Sequence, residues 1–93
     1  MLRAEVWRSD GVTHRENGPA VTYFDKQGNE YYHCWYRNGQ LFRSHDQPAV
    51  IESEPDIHNR NILEEWYVNG LLGRRGEEAS RIIRSSTRDI VLI

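Results

Sequence analysis

The chain has 93 residues, of which 38% are apolar and 28% charged, and its formal net charge is −2. This length fits one domain, over residues 1–93, with a single small core. A membrane-spanning helix needs roughly 18 consecutive apolar residues, and no stretch approaches that, so we expect no membrane partner. Cys34 is the only cysteine, which excludes an internal disulfide and a cysteine-rich zinc site. Because Glu5 comes too early for a signal peptide, we expect a cytoplasmic protein.

Short runs of β-branched and aromatic residues, separated by turn residues, predict strands at 2–8, 20–24, 30–37 and 62–68. The run 30–37 is the most aromatic. Alternation in it predicts two faces, one with Tyr31, His33 and Trp35 and the other with Tyr32, Cys34 and Tyr36. Since both faces carry aromatic rings, this strand is predicted to be central and covered on both sides.

A tight turn follows each tryptophan of the chain. The turn pairs Asp10-Gly11, Asn38-Gly39 and Asn69-Gly70 are typical of type I′ hairpins, in which both central residues take positive φ. Each copy has a tryptophan, a glycine four residues later and an arginine four residues after that. The members of this frame are Trp7, Gly11, Arg15, Trp35, Gly39, Arg43, Trp66, Gly70 and Arg74. The second copy has one extra residue before its proline, which predicts a bulge or a looser bend.

The hydrophobic period changes near the end of the chain. Ala79, Ile82 and Ile83 fall at i, i+3 and i+4, and the preceding acidic pair suits a helix start, so we predict a short amphipathic helix over 77–85. The alternative is a degenerate strand equivalent to 20–24. The apolar run 90–93 is expected to form a last strand or to pack on the sheet.

The tryptophans are 28 and 31 residues apart, which predicts repeats over about 5–28, 30–61 and 62–80, with a C-terminal cap over 77–93. A repeat this short cannot bury its own apolar face and must stack on its neighbours. We therefore predict a mainly β protein: an antiparallel β-meander of three hairpin repeats and about six strands, with a short C-terminal helix. The three indoles are expected to fill one shared interior.

The pattern Trp-x-x-[Asp/Asn]-Gly followed by His-Arg-x-x-Gly-Pro-Ala resembles the MORN-like repeats of viral, phage and bacterial proteins. The first copy matches almost fully, with Trp7, Gly11, His14, Arg15, Gly18, Pro19 and Ala20. The second keeps Trp35, Gly39, Arg43, Pro48 and Ala49, and the third keeps Trp66, Gly70, Arg74 and Ala79. The resemblance implies a binding or scaffold module without a shared active site, and a phage or mobile-element origin.

Residues with catalytic chemistry are present but poorly arranged. The equivalent of His14 in the second copy is Phe42, which favours packing over catalysis. His33 and Cys34 are adjacent in a strand, so they point to opposite faces and cannot share a metal or form a nucleophile pair. We expect no enzymatic activity, no catalytic residue, no metal and no cofactor.

Charge is uneven along the chain, with six acidic residues from 46 to 65 and five arginines from 71 to 93. Such a bipolar distribution can steer a partner. Half-exposed tyrosines opposite the tryptophans would anchor a protein partner. The predicted partner-binding residues are Tyr32, Tyr36, Tyr67, Glu52, Glu54 and Asp56.

The leading hypothesis is therefore a non-enzymatic protein-binding module. Combined with the resemblance, the acidic run suggests a small phage-encoded inhibitor of a host defence complex (anti-CRISPR-like) or of another host enzyme, acting in the host cytoplasm. The alternatives are an RNA- or DNA-binding module that uses the C-terminal arginines, which the net charge disfavours, and a homo-oligomeric structural repeat protein. An exposed edge strand would allow a homodimer.

Overall fold

The computed structural model of the chain describes residues 3–54, 61–74, 76 and 78–84 and the backbone of 90–92. In chain order the strands are β1 (Arg3–Val6), β2 (Arg8–Ser9), β3 (Val12–Thr13), β4 (Val21–Phe24), β5 (Glu30–Cys34), β6 (Tyr36–Arg37), β7 (Gln40–Leu41), β8 (Val50–Ser53), β9 (Asn61–Glu65), β10 (Tyr67–Val68), β11 (Leu71–Leu72), β12 (Arg81–Arg84) and β13 (Ile90–Leu92).

A seven-stranded antiparallel sheet with the order β1-β4-β5-β8-β9-β12-β13 forms the body of the molecule. Each strand pairs with the next long strand along the chain, which is the meander predicted from sequence. The mainly β, antiparallel fold class is confirmed. The predicted strand 30–37 is divided: its first part is β5, which lies centrally between β4 and β8, and Tyr36–Arg37 is β6 in a separate hairpin. The sheet has more strands than the predicted six.

The predicted C-terminal helix is wrong over the residues that the structure describes. Arg81–Arg84 is strand β12, which pairs with β9 on one side and β13 on the other. The helical spacing of its isoleucines is outweighed by this pairing, in which the arginines at both ends of β12 meet the carboxylates of Glu64 and Glu65. The alternative of a degenerate strand is confirmed, and residues 77 and 85 lie outside the described part.

Three two-stranded hairpins extend from the ends of the long strands: β2-β3, β6-β7 and β10-β11. Their turn residues have the positive φ values that a type I′ turn needs, for example 52° at Asn38 and 81° at Gly39, so the turn prediction is confirmed. The looser bend expected in the second copy is also observed, because His45 and Asp46 both have positive φ there.

The same backbone hydrogen bonds surround each of these hairpins. The amide of each tryptophan donates to the carbonyl 13 or 14 residues later, at Ala20, Ala49 and Ser80. Each tryptophan carbonyl then accepts the amide seven residues later, at His14, Phe42 and Gly73. We refer to the segments 7–20, 35–49 and 66–80 as the first, second and third units. By these hydrogen bonds the residue of the third unit that is equivalent to Ala20 and Ala49 is Ser80, and not the predicted Ala79.

The first and second units contact each other directly. The Gly39 amide donates to the Thr13 carbonyl over 2.9 Å, and the Arg15 amide donates to the Tyr36 carbonyl. The Asn38 amide donates to Nδ1 of His14 over 3.0 Å. The molecule as a whole is flat, with extents of 43 × 39 × 16 Å, because its long strands form one sheet and not two facing ones.

Burial is therefore limited. The most buried apolar residues are Ala20, Phe24, Cys34, Ala49, Val50 and Trp66. All of them except Phe24 lie where the long strands meet the units, so most of the core is a band across the sheet and not a closed interior.

The expectation that all three indoles share this interior is wrong. Trp7 is 51% exposed, Trp35 is half-buried, and Trp66 is only 7% exposed. The burial of a tryptophan depends on whether another unit precedes its own along the chain. Trp66 is covered by the second unit, and its Nε1–H donates to the Asp46 carbonyl of that unit over 2.9 Å. In the described part of the chain, no earlier unit covers Trp7.

Candidate interaction surface

Four of the five tyrosines of the chain gather on one face of the sheet and its hairpins. Tyr23 and Tyr32 are directly opposite each other on β4 and β5, and their ring centroids are 5.5 Å apart. Cys34 follows two residues after Tyr32 and so points to the same face. Tyr36 and Tyr67 lie near enough to Cys34 to interact with it electrostatically. We call Tyr23, Tyr32, Tyr36 and Tyr67 the tyrosine face.

Three of these residues, Tyr32, Tyr36 and Tyr67, were predicted from sequence to share a surface, and the structure brings them together. Tyr23 was missed, because its place depends on the register between β4 and β5. Tyr31 was predicted to lie on the face of Trp35. It instead contacts the ring of Tyr23 edge-on, at 6.4 Å between centroids, since a register shift leaves Tyr31 without a partner across the strand pair.

The centre of the tyrosine face is poorly hydrated. Burial is the main cause that raises the pKa of Tyr32 to about 12, and the nearby Cys34 and Glu65 add to it. Burial likewise raises the pKa of the Cys34 thiol to about 11. The hydroxyl of Tyr32 and the buried thiol of Cys34 are therefore neutral at physiological pH.

We expect Cys34 to be unreactive in the folded protein. At pH 8 its alkylation by iodoacetamide should be at least about tenfold slower than in urea, because the thiolate is the reacting form. The sign of the pH dependence follows from the raised pKa. The stability that comes from a neutral thiol is fully present below the ordinary pKa of 9.0 and is lost as the pH rises towards about 11. Equal alkylation rates in the folded and unfolded protein would contradict this.

The predicted acidic residues are placed differently from one another. Glu52 lies across from Tyr32 and Leu63 in the sheet, so it belongs to the same face as the tyrosines. Glu54 is half-buried after the end of β8. Asp56 lies outside the described residues. In the described part of the chain, neither Glu52 nor Glu54 has an ion-pair partner.

The acidic and basic segments of the sequence meet in the fold. Glu65 pairs with Arg81 at 2.6 Å, Glu64 pairs with Arg84 at 2.8 Å, and Asp46 pairs with Arg74 at 3.0 Å. Strand β12 lies beside β9, which places Arg81 directly opposite Glu65 and Arg84 diagonally across from Glu64. Much of the predicted charge separation is thus cancelled locally.

Each repeated arginine stacks on the tryptophan of its own unit. The Cζ atoms of Arg15, Arg43 and Arg74 lie 4.1, 3.8 and 4.0 Å from the ring centroids of Trp7, Trp35 and Trp66. The Nη1 of each arginine also donates to a backbone carbonyl of its own unit, at Pro19, Pro48 and Ala79.

The junction between the second and third units is more open than that between the first and second. Phe42 takes the place of His14 and has no nitrogen to accept a neighbouring amide. The looser bend of the second unit instead carries Asp46 to the third unit, where its carboxylate binds Nε and Nη2 of Arg74, both over 3.0 Å. A cavity of about 310 Å³ remains at this junction, lined in part by Phe42, Trp66 and Tyr67.

His33, Cys34 and the other potential ligands that the structure describes do not converge. Among the described residues, no group of three or more His, Cys, Asp or Glu side chains is placed to hold a metal ion. The same residues include no helix with the length and apolar character of a membrane span. The chain matches no known protein family, no curated protein and no solved structure.

Proposed function

We propose that this protein is a non-enzymatic protein-binding module and that the tyrosine face is its contact surface. The observation that carries the proposal is the grouping of Tyr23, Tyr32, Tyr36 and Tyr67 on one face of a flat sheet, with Tyr23 42% exposed. Tyrosine buries a large area at small entropic cost and still keeps a polar atom for a hydrogen bond, so it is enriched at protein interfaces.

We further propose that the chain is a single domain of three MORN-like hairpin repeats. Support comes from the backbone hydrogen bonds that recur at His14, Phe42 and Gly73, and from the arginine–tryptophan stack in each unit. Such repeats form extended surfaces because each one packs only on its neighbours.

The partner is expected to be basic near its point of contact. Glu52 lies beside Tyr32 without an ion pair in the described part, so it can accept a lysine or arginine of another protein. Inhibition of a host defence complex or another host enzyme by a phage-encoded protein is one form of this proposal. The nucleic-acid alternative has less support, because Arg74, Arg81 and Arg84 are already paired with carboxylates.

Photo-crosslinking tests the proposal. Benzoylphenylalanine would replace Tyr23 or Tyr36 on the tyrosine face and, as the matched control, Lys26 in the exposed turn between β4 and β5. After irradiation in the source cells, we expect both face variants to give the same single protein adduct, and the control to give none. Excess unlabelled wild-type protein should suppress the adduct.

Three results would count against the proposal. Adducts with nucleic acid would favour the alternative function. Adducts only with a second copy of the chain would favour a homo-oligomeric structural protein. The same adducts from Lys26 as from Tyr23 would show that the tyrosine face is not the contact surface.

A further inference from the structure

Three arginines that have no carboxylate partner among the described residues surround one small cleft between the first and second units. Arg15, Arg37 and Arg43 line it together with Glu16, Trp35, Tyr36, Phe42 and Ser44, and its volume is about 40 Å³. Each guanidinium lies over an aromatic ring, and that of Arg37 is 4.5 Å from the centroid of Phe42. In the described part of the chain none of the three forms an ion pair, in contrast to Arg74, Arg81 and Arg84.

The third unit shows what such an arginine binds. Arg74 stacks on Trp66 and donates Nη1 to a carbonyl of its own unit, as Arg43 does with Trp35 and Pro48. The remaining Nε and Nη2 of Arg74 hold both oxygens of Asp46. In the described structure Nε and Nη2 of Arg43 have no such partner. The second unit therefore has the same two N–H donors as the third unit, without a carboxylate bound to them.

The guanidinium of Arg43 is partly buried. Burial lowers the pKa of Arg43, whereas the hydrogen bond to Asp46 raises the pKa of Arg74. The one carboxylate that lines the cleft belongs to Glu16, whose side chain is 74% exposed and lies 3.7 Å from Nε2 of His14. A partly desolvated guanidinium gains more from a two-point carboxylate contact than an exposed one does.

We propose that this cleft binds a single carboxylate, supplied by an aspartate or glutamate side chain of a partner protein. The proposal rests on the proposed protein-binding function, and Tyr36 belongs to both the cleft and the tyrosine face. The two-point contact of Asp46 with Arg74 favours a planar carboxylate over the tetrahedral phosphate of a nucleic acid.

The test uses the intact protein and a defined probe, the peptide acetyl-(Glu)₄-amide, with acetyl-(Gln)₄-amide as the uncharged match. Titration followed by NMR should shift the Nε–H signal of Arg43 with the first peptide and not with the second.

We expect Arg43→Gln to weaken binding of the glutamate peptide about tenfold or more, since charged hydrogen bonds are lost. Glu16→Gln should tighten binding, because it removes a competing negative charge. Arg8→Gln, on exposed β2 and outside the cleft, should change it less than twofold.

Several outcomes would overturn the proposal. One is an equal shift of the Arg43 Nε–H signal with both peptides. Another is that Arg8→Gln weakens binding of the glutamate peptide as much as Arg43→Gln does, or that Glu16→Gln does not strengthen it. The last is tighter binding of oligothymidylate than of the glutamate peptide. If Arg43→Gln does not fold, Arg37→Gln is used in its place, and we expect it to weaken binding of the glutamate peptide at least about threefold. Because the probe is independent of the crosslinked partner, peptide binding without an adduct would reject the proposed function alone. An adduct without peptide binding would reject the carboxylate site alone.

Discussion

Replacement of Trp66 by alanine is expected to lower the free energy of unfolding by about 3–5 kcal/mol, the usual cost of removing a large buried aromatic side chain. Trp66 is the most buried of the tryptophans at 7% exposed. Its loss also removes the hydrogen bond to the Asp46 carbonyl and the stacking surface of Arg74. Urea denaturation followed by circular dichroism would measure the change.

The same substitution at Trp7 is the internal control. Trp7 stacks with Arg15 in the same way but is 51% exposed, so Trp7→Ala is expected to cost only about 1–2 kcal/mol. Trp66→Phe keeps the ring stack and loses the Nε1–H, and should cost about 1 kcal/mol from the hydrogen bond. Equal losses for Trp7→Ala and Trp66→Ala would show that contact between the units contributes nothing to stability.

The different burial of the three tryptophans could not be predicted from the sequence. The local signals were sufficient for the turns, because Asn-Gly and Asp-Gly favour the positive φ that Asn38 and Gly39 adopt. They were also sufficient for the antiparallel order, since consecutive short strands pair most simply with each other. The burial of a given indole depends instead on whether another unit precedes it, which no local pattern contains.

The last strand shows a second limit. The spacing of Ala79, Ile82 and Ile83 matches a helix, and the same residues serve equally well in a strand that pairs on both sides. The choice was decided by partners on β9, where Glu64 and Glu65 lie within reach of the arginines of β12. Tertiary pairing outweighed the helical period, as is common for short apolar segments.

The candidate surface was predictable in part. Alternation along 30–37 correctly separated Tyr32, Cys34 and Tyr36 from Trp35, because a regular strand alternates its faces. Tyr23 was missed and Tyr31 misplaced, since both depend on a register shift between β4 and β5. The pairing of acidic with basic residues was missed for a similar reason, as those partners are 16 to 28 positions apart in the chain.

These ion pairs lead to the second large expected effect. Glu65→Ala should lower the free energy of unfolding by about 1–3 kcal/mol, because it leaves the guanidinium of Arg81 without its carboxylate in a partly buried place. The side chain of Glu65 is only 12% exposed and that of Arg81 33%. Glu65 also accepts a hydrogen bond from the Tyr67 hydroxyl, so the change loosens one end of the tyrosine face. Thermal or urea unfolding would measure it.

Glu30→Ala provides the matched control. Glu30 is also in a strand, but its side chain is 58% exposed. Its replacement should therefore change the free energy of unfolding by less than about 0.5 kcal/mol.

A double-mutant cycle that combines Glu65→Ala with Arg81→Ala should give a coupling energy of about 0.5–3 kcal/mol. A coupling near zero would mean that Arg81 is not held by Glu65 in solution. The C-terminal arginines would then be free for phosphate contact, and the nucleic-acid alternative would regain support. A large coupling would show that Arg81 is held in the sheet by Glu65 and is not free for phosphate contact.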